Sequence, residues 1–205
     1  MDLLALLLGW LAHCVIFAGG SPYDIMAKYG ISHASLYESI WAVIEAVNSC
    51  DEFSIEYPAS ETAQLKIAHE FENVSEVKFN NCGGAIDSIL IWILKPSEED
   101  ANDAGCGRRN CFCGRKGKFG LNCQAVSDVH GRFLDISIGL PGASSDCIAF
   151  EGSDLYKRLE GGLLKNGLVL YGDNAYINTR YMATPFPNVL SGSKKNYLLT
   201  IHYDV

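Results

Sequence analysis

Two aspartates stand where strands would present them for chemistry. Asp173 belongs to Gly172-Asp173-Asn174-Ala175-Tyr176, directly after the apolar run at residues 168–171. Asp87 lies inside a longer β-branched, apolar run, AIDSILIWIL, at residues 85–94. An aspartate buried on such a strand must be paired, hydrogen-bonded or metal-bound, so Asp87 carries the stronger signal. If the two strands are neighbours, their backbones run about 4.8 Å apart and both carboxylates can converge on one cation. Carboxylate oxygens suit Mg²⁺ or Mn²⁺ rather than zinc. Ions so held can activate a water or hydroxyl and stabilise the leaving oxygen in phosphodiester cleavage. The plainer alternative is that Asp87 accepts backbone hydrogen bonds and Asp173 caps a turn. From the two residues alone, both readings stay open.

Other side chains are weaker candidates. Arg108, Arg109, Arg115, Lys116 and Lys118 place five of the sixteen basic residues within eleven positions. Such a patch can hold backbone phosphates, with Arg115, Lys116 and Lys118 nearest the following strand; a solvated loop explains it equally simply. Cys106, Cys111, Cys113 and Cys123 cluster, but without the close Cys-x2-Cys pairs of a zinc site. They read as free thiols, and a bridge within the cluster is the other option. Asp146 follows Ser144-Ser145 and reads as an acid at a helix start. His130 belongs to a turn, and Tyr176 is expected to pack behind the loop of Asp173.

The elements that must position these groups follow from period and punctuation. Gly19-Gly20-Ser21-Pro22 is a break, with Ser21 an N-cap and Pro22 a first helical residue. A short helix at residues 23–29 ends at Gly30. A second, capped by Ser32, runs to about Asn48 with Leu36, Ile40, Val43, Ile44 and Val47 on one face. Ser60 caps a third, with an inner stripe of Leu65, Ala68 and Phe71. The period then changes to that of strands, at residues 85–94, 118–128 and 132–140, with His130-Gly131 turning a hairpin between the last two. Residues 97–114 read as an irregular insertion. One helix carries Ile148, Phe150, Leu155 and Leu159, and the strand at 168–171 follows.

The totals set outer limits. The chain has 205 residues, 48% of them hydrophobic, and a net charge of −8. A core of useful size is available, and an acidic balance argues against strong non-specific nucleic-acid binding. Eight scattered cysteines suit reduced thiols better than a disulfide framework. Residues 3–18 are apolar, broken by Gly9 and His13. They are short for a membrane span and are read as a buried first helix, with a secretory signal as the alternative.

The segments GAIDSILIWILKPS, CGRKGKFGLNCQAVSDVHGRFLDISIGLPGASSDCIAFEGSDLYKRLE and LYGDNAY, in this order and spacing, resemble the Harbinger-type DDE superfamily endonucleases. These are transposases and transposase-derived nucleases. The resemblance spans about residues 81–187. It implies a ribonuclease-H-like α/β fold, a mixed sheet with flanking helices, in which D, D and E acids bind Mg²⁺ or Mn²⁺. Asp87 matches the first acid and Asp173 the second. Ser88 stands where the family usually has glycine. The third acid is expected on a helix some tens of residues beyond Asp173. Only Asp204 is acidic there, and NYLLTIHYDV does not resemble that segment.

A second resemblance lies upstream. DIMAKYGISHASLYESI, residues 24–40, is similar to a helix-turn-helix unit, in which Ser32, His33, Ser35 and Tyr37 would face DNA. A helical hairpin with a glycine turn is the alternative. The second helix has no Arg or Lys and carries Glu38 and Glu45, which lowers the affinity expected.

Together these expectations describe a helical unit at residues 1–50, a connector with one helix at 51–80, and a ribonuclease-H-like nuclease domain at 81–205 without its final catalytic helix. The function implied is divalent-metal-dependent DNA cleavage, left incomplete by the third acid. The alternative is a non-catalytic DNA- or protein-binding remnant of a transposase. DNA is the expected partner, with a protein partner or a homo-oligomer besides, no membrane association, and the nucleus as the location.

Overall fold

A computed structural model of the chain describes residues 21–76 and 78–185. The reading of residues 3–18 and the comparison over NYLLTIHYDV fall outside the described residues. The chain divides into two compact units, Met1–Ser54 and Ile55–Val205.

The first unit holds helices α1 (Pro22–Tyr29) and α2 (His33–Asn48), then a 3₁₀ turn at Asp51–Phe53. Ser21 accepts from the Tyr23 N–H and Ser32 from the Ser35 N–H, so both helix starts are capped as their sequence implies. Gly30 closes α1 in the left-handed region, φ 65°, where a side chain would strain. The core here is small: Ile25 and Leu36, with Met26, Ile31 and Ile40 against them. Of the face expected on α2, only Leu36 is buried, and Val47 is exposed.

The second unit is a mixed sheet with helices. Its elements are α3 (Glu61–Val74), β1 (Cys82–Trp92), α4 (Glu98–Asp103), β2 (Phe112–Cys113), β3 (Lys118–Ser127), β4 (Phe133–Pro141), α5 (Asp146–Glu151), α6 (Asp154–Glu160), β5 (Val169–Tyr171) and β6 (Met182–Ala183). β1 pairs antiparallel with β3, and β3 with β4 in the expected hairpin. On its other side β1 pairs parallel with β5, and β5 with β6. The two-residue β2 shares the outer edge of β3 with β4. With β2 set aside, the order across the sheet is third, second, first, fourth and fifth strand. This is the ribonuclease-H-like fold, with β1 at its centre.

The larger core cluster lies on one face of the sheet, and a smaller one of Phe79, Cys82 and Tyr171 on the other. In the larger cluster Ile86, Val126 and Leu170 pack against Phe150, Leu155, Leu159 and Tyr176. Gln64 is fully buried in α3: its Nε2 donates to the Pro58 and Leu163 carbonyls, and its Oε1 accepts from the Lys165 N–H. The bonds to Leu163 and Lys165 tie α3 to the loop before β5, the bond to Pro58 ties it to the segment leading into the helix, and the buried amide is satisfied.

Several local expectations are corrected. The inner stripe of α3 is Gln64, Ile67 and Ala68, and Leu65 is exposed, because the buried amide sets the helix rotation. The single helix expected after Pro141 is two, α5 and α6, since Ser153 ends one and caps the next through the Tyr156 N–H. Residues 97–114 hold α4, closed by a Ser97–Asp100 capping box, and a 3₁₀ turn at Arg108–Cys111. The first half of β1 is buried, but Ile89, Ile91 and Trp92 in its second half are exposed. Their neighbours Ile136 and Ile138 on β4 are exposed too, so β1 is central in pairing without being buried along its length.

Candidate active site

Asp87 follows the last buried residue of β1, Ile86, and is itself open to solvent. This corrects the expectation of a buried carboxylate: the apolar run continues past Asp87, but its burial does not. Asp173 lies two residues beyond β5, also exposed. The parallel register pairs Ala85 with Tyr171. Two residues further on, Asp87 is still within β1 while Asp173 has left β5, and the two are near enough for the charge of Asp173 to act on the Asp87 carboxyl. Gly172 allows this. A Cβ there would come within 2.8 Å of Tyr176 Cδ2 and 3.0 Å of Ile86 Cγ2. The loop therefore folds back tightly over Ile86, with Tyr176 behind it as expected.

Each aspartate also performs its plainer role. Asp87 Oδ1 accepts from the Ser88 N–H at 2.7 Å, and Asp173 Oδ1 from the Ala175 N–H at 2.8 Å. Both leave Oδ2 without a hydrogen bond among the described residues. The two roles do not compete, because one oxygen orients the carboxylate and the other stays available.

The electrostatics make this a negative site. Burial by neighbouring atoms, despite the open side chain, raises the Asp87 carboxyl above its ordinary pKa, and the Ser88 amide partly offsets it. The charges of Asp173 and then Asp146 raise it further. Mutual repulsion of this kind favours a bound cation.

Asp146 stands at the start of α5 as expected, and it has a further role. Ser145 is the N-cap of α5, through the Ile148 N–H. Asp146, in the first turn, reaches back to β1: its Oδ1 accepts from Ser88 Oγ at 2.6 Å and from Asn122 Nδ2 at 3.0 Å. The chain continues inward from Asn122, whose Oδ1 accepts from Gln124 Nε2 at 2.7 Å. Gln124 Oε1 in turn accepts from the Tyr176 hydroxyl at 2.6 Å. Asn122, Gln124 and Tyr176 are all buried. A polar relay thus joins the neighbour of Asp87 to the loop of Asp173. Sequence reading missed Asn122 and Gln124. The signal was present: in LNCQAVS they alternate with Cys123 and Ala125, putting two amides on the face that also carries Val126.

Among the described residues, no group of three or more His, Cys, Asp or Glu side chains is placed to hold a metal ion. Asp87 and Asp173 offer an oxygen each, which fits the open kind of Mg²⁺ site, where one or two carboxylates share the ion with water and substrate phosphate. Asp146 bonds Ser88 and Asn122 through Oδ1 alone, and its Oδ2 has no hydrogen bond among the described residues. In the cysteine cluster Cys106 and Cys111 lie with their sulfurs 3.5 Å apart, and all four cysteines are free.

The remaining candidates separate by unit. Ser32, His33, Ser35 and Tyr37 are exposed on α2. The serine hydroxyls bond each other at 2.9 Å at the cap, and the His33 and Tyr37 rings stack at 4.4 Å. In the second unit, Arg115 and Lys116 border an open concavity of about 900 Å³ on the α5 side of the sheet. Lys118 instead lies over the Trp92 ring, 3.1 Å from its centre. Arg108 is held by Glu98 at 2.8 Å.

The DDE superfamily endonuclease family matches residues 86–200 of the chain. The protein named "Putative nuclease HARBI1" of Rattus norvegicus is 30% identical over 156 residues, which are 76% of this chain and 41% of that protein. Its Homo sapiens counterpart is 28% identical over the same shares. "Protein ALP1-like" of Arabidopsis thaliana is 30% identical over 73% of this chain and 34% of its own length. The chain thus spans about two-fifths or less of the curated relatives named here. No solved structure matches.

Proposed function

Because the chain belongs to the DDE superfamily endonucleases, we propose that it is a DNA nuclease of transposase descent, in which Asp87 and Asp173 hold a Mg²⁺ or Mn²⁺ ion. The observation that supports this reading is the parallel register of β1 and β5, Ala85 opposite Tyr171, with exposed Asp87 in mid-β1 feeling the charge of Asp173 just beyond β5. The ion would stabilise negative charge on a phosphodiester and lower the pKa of a bound water or hydroxyl. Asp87 and Asp173 orient their free oxygens by bonding Ser88 and Ala175 with the others. Ser88 is held by Asp146, which fixes the backbone beside the first acid.

Two carboxylates secure one ion more readily than two, so a second ion would need a further ligand. A second reading, a DNA- or protein-binding member without catalysis, is favoured by the lack of a three-ligand group among the described residues. On the nuclease reading DNA is the partner and the nucleus the place of action, with the exposed α2 residues and the basic loop as contacts. Assembly with a second copy or another protein belongs to the same proposal. No helix among the described residues is long and apolar enough to cross a membrane.

Manganese binding separates the metal claim from the rest. The folded chain is expected to bind Mn²⁺ weakly, read by electron paramagnetic resonance of the free ion. Asp87→Asn and Asp173→Asn should each lose that binding while keeping the circular dichroism of the parent. An unchanged titration in the double variant removes Asp87 and Asp173 as ligands.

A further inference from the structure

The reading above gives the concavity on the α5 side of the sheet no ligand of its own. Ser88 lines it, so Asp87, next to Ser88 in β1, starts from the opposite face of the strand. Its volume, about 900 Å³, falls in the range of pockets that enclose a small ligand. The wall contains Trp92, 65% exposed although it ends a central strand. Lys118 braces one face of that ring, leaving the rest of the indole to the solvent. Arg115 and Lys116 form the lip, and among the described residues neither enters an ion pair. The floor is polar: Ser88, Asn122 and Asp146, with Asp146 Oδ2 carrying no hydrogen bond among the described residues.

We infer that this concavity receives an unpaired nucleotide of a DNA strand. An aromatic face, two unpaired cations and a polar floor match the three parts of a nucleotide: a base to stack, a phosphate to neutralise and base edges to bond. Stacking on an exposed aromatic beside a cationic groove is how single strands are held without strong sequence preference. A paired duplex cannot offer a base to Trp92, since its bases are already stacked. The carboxylate in the floor adds a bias, because Asp146 accepts hydrogen bonds and so favours the amino group of cytosine or adenine over thymine. Ala175, two residues beyond Asp173, also lines the concavity, so it adjoins the acidic site across the edge of β1. The inference rests on DNA as the substrate of that site and adds which part of the DNA the chain grips.

The test is binding of fluorescein-labelled DNA to the full chain in EDTA, where no cleavage or metal binding intervenes. One duplex is blunt, and the other carries a four-nucleotide unpaired extension of cytosine or of thymine. The extended duplex is expected to bind more tightly than the blunt one, with cytosine ahead of thymine. Trp92→Ala should weaken only the extended duplex, by roughly 5- to 150-fold if one base stacks. Arg115→Gln with Lys116→Gln should flatten the salt dependence for the extended duplex, by about 0.7 in slope for each phosphate no longer neutralised. Trp92→Phe, which keeps an aromatic face, should retain most of the preference and guards against a folding defect in the alanine variant. Equal binding of blunt and extended DNA, or a preference that survives Trp92→Ala, overturns this inference and leaves the nuclease reading standing. No binding of either DNA overturns both.

Discussion

The relay from Tyr176 to Asp146 can be broken by one atom. Tyr176→Phe removes the hydroxyl that donates to Gln124 Oε1 at 2.6 Å and keeps the ring that packs over Gly172. Both partners are buried, so the acceptor left behind has no water to replace its donor. Losing the bond and stranding a buried amide oxygen costs about 1–3 kcal/mol. For a unit of this size, each kcal/mol lowers the unfolding midpoint by about 2–4 °C. A fall of roughly 4–8 °C is therefore expected in a thermal scan, the middle of the cost range being about 2 kcal/mol. Gln124→Leu alone should cost a similar amount, by stranding Asn122 Oδ1. The double variant should cost less than the sum of the two. If the relay also orients the loop of Asp173, Tyr176→Phe weakens Mn²⁺ binding about 10- to 100-fold, as loss of a supporting hydrogen bond does around metal ligands. A midpoint that does not move, with additive costs in the double variant, refutes the relay as a stabilising unit. A lowered midpoint with unchanged Mn²⁺ affinity refutes its link to the acids.

The other predictions concern stability against pH, catalysis and DNA. Asp128 is buried at the β3–β4 turn and accepts from the His130 and Arg132 amides and from Arg132 Nε at 2.7 Å. Burial would raise its pKa, but these bonds and the Arg132 charge together outweigh it and hold the carboxyl below its ordinary value. With the folded pKa depressed, its contribution is full above the unfolded value of about 3.9 and is lost as pH falls through the folded one. Asp128→Asn should cost about 1.5–3 kcal/mol at pH 7 in urea unfolding, with the gap from the parent closing below pH 4. For catalysis, the chain should show little cleavage of duplex DNA with Mg²⁺ or Mn²⁺, because a lost ligand costs several powers of ten and each is only about 1.4 kcal/mol of barrier. Robust cleavage that disappears in Asp173→Ala would mean that Asp146, Asp204 or another acid completes the site. For DNA, replacing Ser32, His33 and Tyr37 together with alanine should reduce duplex binding that weakens steeply with salt. Equal binding by a chain lacking residues 1–50 assigns the contact to the basic loop instead.

Four of the strands, β1, β3, β4 and β5, were legible in the sequence, because each is written locally. A β-branched run, a polar turn and a capping serine act within a few residues of themselves. So β1, the β3–β4 hairpin and the caps at Ser21, Ser32 and Ser60 stand where pattern places them. Whatever depends on a partner distant in the chain was settled by the fold. The pairing of β1 with β5, far apart in sequence, is what brings Asp87 near Asp173. Burial of β1 ends at Ile86 although its apolar run continues to Leu94, since period reports what a strand can bury and not what covers it. Asp146 shows the same division: its place after a capping serine is local, while its bonds to Ser88 and Asn122 exist only because α5 is laid against the sheet. The amides of Asn122 and Gln124 stand on an apolar face because the fold supplies Asp146 on one side and Tyr176 on the other, since a buried polar group is stable only with its partners.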